Sequence, residues 1–265
     1  MALPRVLAQA REEGRAALVV YVTAGDPSLA VTVEIAVALY EAGADVVELG
    51  IPYSDPLADG PIIQAAGQRA LAAGTTVAGV LEAARQIGAR APVPLVVMTC
   101  YNPVLQYGPE RFARAAVAAG VQGGLLSDLP PEEGGEWAET AAAQGLETIF
   151  LVAPNTELER ARLACSMSTG FVYVVSRAGT TGVRESLPEG LPALLAQLRE
   201  VTDRPLAVGF GISTPEQVRE VSRVAEGVIV GSAVVRRIGE LGTSRELVPQ
   251  VAQFVRELAA GTHRD

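Results

Sequence analysis

ALVVYVTAGDPSLAVTVEIAVALYEAGADVVELG, residues 17–50, holds the unit from which the fold is read. Its two ends, ALVVYV (17–22) and DVVELG (45–50), are near-continuously apolar rather than alternating. That is the pattern of parallel strands buried on both faces. Between them VTVEIAVALYEAGA (31–44) carries helical apolar spacing and runs out through a glycine, the residue that most readily takes the left-handed conformation of a helix C-terminus. The same alternation continues through PLVVMT (94–99), GGLLS (123–127), ETIFLVA (147–153), FVYVVS (171–176), PLAVGF (205–210) and GVIVG (227–231). Helical segments such as ERFARAAVAAG and EEGGEWAETAAAQG lie between these runs. Eight strand-then-helix units in 265 residues predict an α/β fold of the (β/α)8 or TIM-barrel type, with an open doubly wound sheet as the alternative. No Pro/Gly/Ser-rich linker divides the chain, so the expectation is a single domain over 1–265. Two segments fall outside the repeat. Residues 3–13 read as a short extra helix plugging the N-terminal end of the barrel. Residues 244–260 read as an additional C-terminal helix with apolar positions Leu247, Val251, Phe254, Val255 and Leu258.

Composition narrows the chemistry. All 21 basic residues are arginine, so the chain has no lysine with which to form a Schiff base or to anchor pyridoxal phosphate. Its one histidine, His263, sits in the polar C-terminal tail, which argues against a Ser-His or Cys-His nucleophilic pair and against a histidine zinc site. Cys100 and Cys165 match no metal motif and read as reduced thiols; no metal is expected. A net charge of −9 argues against nucleic-acid and anionic-membrane partners. The start MALPRVLAQAREEGR lacks the apolar core of a signal peptide, and no apolar run reaches the roughly 18 residues of a membrane span. The expectation is a soluble, cytoplasmic protein. If it is an enzyme, carboxylates must move its protons.

Those carboxylates cluster in ELGIPYSDPLADGP (48–61). Glu48 ends an apolar strand, on what in a barrel is the catalytic face, among Val46, Val47, Leu49 and Ile51. Burial there would raise its pKa and leave a proton-carrying acid near neutrality, although a Glu snorkelling or paired with Arg gives the same sequence. Asp55 and Asp59 lie in the following loop, stiffened by Pro52, Pro56 and Pro61; each could equally close an Asx-turn or cap a helix. Asp128, in SDLPPEE, is a third candidate. Tyr21, Tyr101, Tyr173 and Phe210 sit near strand ends, where they could line a planar substrate or simply pack in the core. RAGTTG (177–182), GFGIS (209–213) and GSAVV (231–235) place glycines after the last three strands, where backbone N–H groups and a helix N-terminus suit a phosphate monoester. The same glycines would also serve tight turns alone.

The strings ELGIPYSDPLADGPIIQ, MTCYNPVLQYG, SDLPPEE, SRAGTTG, GFGISTPEQV and GSAVV, in that order, resemble the tryptophan synthase α subunit family. The similarity runs from GRAALVVYVTAGDP (14–27) to the C-terminal helix. The resemblance implies a lyase that cleaves indole-3-glycerol phosphate to indole and glyceraldehyde 3-phosphate in tryptophan biosynthesis. It implies no cofactor in this chain, and a pyridoxal-phosphate-dependent β subunit as partner in an α2β2 assembly through which indole is channelled. Carried onto this sequence, it makes Glu48 the acid–base and Asp59 the second catalytic acid. It puts phosphate contacts on Gly182, Gly211, Gly231 and Ser232, and indole or glycerol contacts on Tyr21, Tyr173 and Phe210. A mobile closing loop falls on 177–188, with Arg177 in it and Thr181 meeting Asp59 on closure. One departure stands out: where the family commonly has Tyr at the end of its third strand, this chain has Cys100, with Tyr101 and Asn102 kept. The Pro-rich loops at 52–61, 102–109 and 129–135 are candidates for the partner surface, with Pro52, Asp55, Asn102 and Pro130 in or beside them.

Overall fold

The computed structural model describes residues 2–56, 59–176, 190–209 and 211–264. Its strands are β1 (Ala17–Thr23), β2 (Val46–Gly50), β3 (Leu95–Thr99), β4 (Val121–Leu126), β5 (Glu147–Ile149), β6 (Leu151–Val152), β7 (Val172–Val175), β8 (Leu206–Gly209) and β9 (Gly227–Val230). The helices of the first half are α1 (Leu3–Glu12), α2 (Leu29–Glu41), α3 (Pro61–Ala72), α4 (Val77–Arg90), α5 (Tyr101–Tyr107) and α6 (Pro109–Ala118). Those of the second half are α7 (Gly135–Gln144), α8 (Leu158–Met167), α9 (Leu191–Arg199), α10 (Pro215–Ser222), α11 (Ser232–Leu241) and α12 (Leu247–Ala260).

All pairings are parallel, in the order β5-β4-β3-β2-β1-β9-β8-β7-β6. The two end strands are consecutive in the chain and separated by Phe150 alone, so the fifth apolar run closes the ring into a barrel. This is the (β/α)8 architecture that the repeat predicts, with one difference: that run is two short strands rather than one. Phe150 is why. Its N–H donates to Ser168 Oγ at 3.1 Å instead of to a neighbouring strand, while its carbonyl accepts from Tyr173 N–H at 3.0 Å.

The strands are buried on both faces, and their period of two separates two cores. Leu18, Val20, Val47, Val97, Val174, Val208 and Val228 face outward and pack under the helices. Val19, Val46, Val96, Leu125, Ile149, Ala207 and Ile229 face inward and fill the barrel, with Leu3, Val6, Leu7 and Ala10 of α1 in the same cluster. The plug expected over 3–13 is therefore present. A Cβ on Gly123 would lie 2.7 Å from Leu3 Cδ1, so the missing side chain lets the helix seat. Leu3 N–H is received by Glu147 at 2.9 Å. At the other terminus α12 starts at Leu247, after a turn closed by Leu247 N–H to the Ser244 carbonyl at 3.1 Å. Leu247, Val251, Val255 and Leu258 are buried as the spacing predicts. Phe254 lies at the rim, its ring under the Arg237 guanidinium at 4.4 Å. Among the described residues no helix is long and apolar enough to cross a membrane.

Candidate active site

The inward-facing rows end in a top layer. Two residues beyond Val19, Val46, Val96 and Ile229 stand Tyr21, Glu48, Met98 and Gly231, and all four line one cleft at the C-terminal ends of the strands. Asp59, Gly60, Ile63, Tyr173, Gly211, Ile212 and Ser232 complete its lining among the described residues. The structure thus brings together Glu48, Asp59, Tyr21, Tyr173, Gly211, Gly231 and Ser232, which the sequence had placed on separate strands and loops. Arg177, Thr181, Gly182 and Phe210, with the whole segment 177–188, lie outside the described residues.

Glu48 is 1% exposed, and neither carboxylate oxygen has a hydrogen-bond partner among the described residues. Burial alone pushes its pKa up to about 8, because the charged form loses its hydration and gains no donor. Unlike a glutamate tied up in an ion pair, it is a neutral acid at pH 7 that can both give and receive a proton. Tyr21 sits beside it in strand register and packs over Gly50, where a Cβ would meet the Tyr21 hydroxyl at 2.1 Å. Tyr173 repeats the arrangement over Gly209, where a Cβ would meet its hydroxyl at 2.5 Å. Burial holds both phenols well above their ordinary pKa, so they stay neutral.

Asp59 is held differently. Tyr53 Oη donates to its Oδ2 at 3.1 Å, and Gln64, in the first turn of α3, donates through Nε2 to the Asp59 carbonyl at 2.8 Å and the Pro56 carbonyl at 3.1 Å. Burial raises the Asp59 pKa and the Tyr53 hydrogen bond opposes that rise. Neither Tyr53 nor Gln64 was singled out in the sequence. A glutamine one turn into a helix, five residues after a loop aspartate, is a spacing that could have shown the second.

The third carboxylate is removed from the site. Asp128 Oδ1 accepts Tyr101 N–H at 2.7 Å and so caps α5, whose N-cap Cys100 makes no side-chain cap bond. Tyr101 packs against the outer core instead of lining the cleft. Asp55 and Asn102 are exposed and Pro52 and Pro130 half-buried, on loops at the same end of the barrel.

The two glycine-rich turns divide their work. In α10 a capping box satisfies the helix: Thr214 Oγ1 accepts Gln217 N–H at 3.3 Å, and Gln217 Oε1 accepts Ser213 N–H at 2.8 Å and Thr214 N–H at 3.3 Å. In α11 the N-cap is Gly231, with no side chain to cap, and the helix N-terminus opens onto the cleft beside Ser232. Uncapped N–H groups and the helix dipole suit an anion there. Gly211, at φ +80°, takes the left-handed conformation open to glycine and lines the same cleft. Arg69 of α3 forms a two-bond pair with buried Asp26 at 2.8 and 2.7 Å, and its guanidinium lies against Gly239 of α11, where a Cβ would come within 2.9 Å of Nη2. The helix that follows Asp59 is thereby tied to the loop after β1 and packs beside the helix whose N-terminus faces the cleft.

A family model described as tryptophan synthase alpha chain matches residues 7–263. Curated relatives of that description include one from Solibacter usitatus, 49% identical over 251 residues, covering 95% of this chain and 94% of its own. Another, from Synechocystis, is 48% identical over 249 residues and covers 94% of each chain. Among solved structures, tryptophan synthase of Mycobacterium tuberculosis superposes with a TM-score of 0.92 at 38% identity, covering 99% of this chain and 98% of that one. A chain from the tryptophan synthase a2b2 complex of Pyrococcus furiosus gives 0.85 at 39% identity, covering 92% and 98%. With the barrel and its cleft, these matches fix the family: the chain belongs to the tryptophan synthase alpha chains, subunits of a lyase of tryptophan biosynthesis.

Proposed function

We propose that the cleft cleaves indole-3-glycerol phosphate into indole and glyceraldehyde 3-phosphate. The observation that carries this reading is Glu48, a buried acid with a pKa of about 8 and no hydrogen-bond partner among the described residues, in one cleft with a loop aspartate. The uncapped N-terminus of α11, with Gly211, Gly231 and Ser232, takes the phosphate and orients the substrate. Asp59, as carboxylate, accepts the indole N–H. Glu48 gives its proton to indole C3, which turns the ring into an indoleninium cation stabilised by Asp59. The cation is the electron sink that a Schiff base would otherwise provide. The side-chain hydroxyl then returns a proton to Glu48, the bond between C3 and the carbinol carbon breaks, and its electrons restore the aromatic ring. Protons balance, and the products are indole and an aldehyde.

A β subunit carrying pyridoxal phosphate consumes the indole in this reading, within an α2β2 assembly that channels it from site to site. The complex of the Pyrococcus furiosus relative supports the partner, and the absence of lysine from this chain leaves the anchoring of that cofactor to the β subunit. The exposed loops around Pro52, Asp55, Asn102 and Pro130 are the docking surface proposed for it. The test is indole release from indole-3-glycerol phosphate, with and without a β subunit. Glu48→Gln should lower kcat by about 10²-fold or more while binding of a phosphate monoester stays within about twofold. Equal loss of turnover and binding would overturn the role given to Glu48.

A further inference from the structure

Tyr53 stands in the loop after β2, six residues from Asp59, and no part of the reaction above uses it. Its hydroxyl donates to Asp59 Oδ2 at 3.1 Å, while the backbone of Asp59 is held separately by Gln64 Nε2 on its carbonyl at 2.8 Å and by its own N–H to the Pro56 carbonyl at 3.2 Å. A loop aspartate with a free χ1 would sample several rotamers and present either oxygen to a ligand. Here the main chain is fixed from α3 and one carboxylate oxygen from the loop.

We propose that Tyr53 is a positioning residue for the proposed cleavage: its hydroxyl pins the Asp59 carboxylate by Oδ2 and leaves Oδ1 to accept the N–H of the heteroaromatic ring. The inference rests on the reaction assigned above. Among the described residues, the titratable groups that meet Asp59 are Tyr53 on its own loop, Tyr21 on β1 and Cys100 after β3, with Glu48 and Tyr173 lining the same cleft. None of these carries positive charge. Burial works against an ionised Asp59, and among the described residues the Tyr53 hydroxyl is the side-chain donor that works for it.

Tyr53→Phe keeps the ring and removes only the donor. In the α2β2 complex, kcat/KM for indole formation should fall about tenfold at neutral pH, the worth of one hydrogen bond to a charged group. The acidic limb of the pH profile should move up by about one unit, and inhibition by glycerol 3-phosphate should stay within about twofold. Gln64→Ala, which loosens the loop main chain without touching the carboxylate, should lower kcat and leave that limb in place. An unmoved acidic limb in Tyr53→Phe, with the wild type active, would overturn the inference and spare the reaction. No indole from the wild type would overturn both. A Tyr53→Phe protein with lost phosphate-ester inhibition would make Tyr53 a structural support of the loop and likewise overturn it.

Discussion

Glu48 illustrates how one side chain acquires its chemistry from position in a strand. Val46 and Glu48 point to the same side of β2, so the row that fills the barrel with valine ends in a carboxyl group at its open end. No donor among the described residues compensates its burial, and the pKa of about 8 lies above that of the unfolded chain. The folded state therefore binds one more proton than the unfolded state between the two values. The associated stability is complete below the unfolded pKa, near 4.5, and is lost as pH rises through about 8. Glu48→Gln cannot titrate. Relative to that variant, the wild type should lose on the order of 3–5 kcal/mol between about pH 5 and about pH 9, read by urea denaturation at both pH values. The basic limb of kcat/KM should fall near the same pKa, since the proposed reaction starts from protonated Glu48.

At the level of the element, the cleft is shaped by pairs of neighbouring strands. Tyr21 of β1 leans over Gly50 of β2, and Tyr173 of β7 over Gly209 of β8. Each phenol occupies the volume where a Cβ on the adjacent strand would be. Gly50→Ala should force the Tyr21 ring out of its site, at a cost of about 1–3 kcal/mol in a denaturant melt. The same variant should lose activity beyond what its stability predicts, because the displaced ring enters the cleft beside Glu48. The two helices at the glycine-rich turns also differ in kind. α10 closes its own N-terminus with Thr214 and Gln217, and α11 leaves its N-terminus open under Gly231. Only the second can offer N–H groups to an anion.

Across the whole molecule the barrel has one closed end and one open end. Leu3, Val6, Leu7 and Ala10 of α1 seal the N-terminal end, so the cavity above them has a floor made of side chains from every part of the ring. Leu7 is fully buried, and Leu7→Ala should cost about 2–5 kcal/mol of stability, measured by urea unfolding, with activity at low temperature retained. The open end is braced across the chain by the Asp26–Arg69 pair, which joins the loop after β1 to α3 while α11 lies against the same arginine.

The eight apolar runs, the plug over 3–13 and the last helix are legible in the sequence because they are periodic: burial on two faces or on one stripe leaves a pattern that needs no partner to be read. Composition likewise excluded lysine chemistry in this chain, and the end of the second apolar run and the loop after it put Glu48 and Asp59 at the end of the barrel where the cleft lies. Contacts between distant segments leave no such pattern. Phe150 breaks the fifth run because Ser168, from the end of α8, offers its N–H a hydroxyl; Asp128 turns away from the cleft because Tyr101 N–H needs a cap; and Tyr53 reaches Asp59 only because a proline-stiffened loop folds back on itself. Local physics determined the elements and the residue types available to the site. Tertiary structure decided which of those residues meet, since a hydrogen bond depends on distance in space and not on separation along the chain.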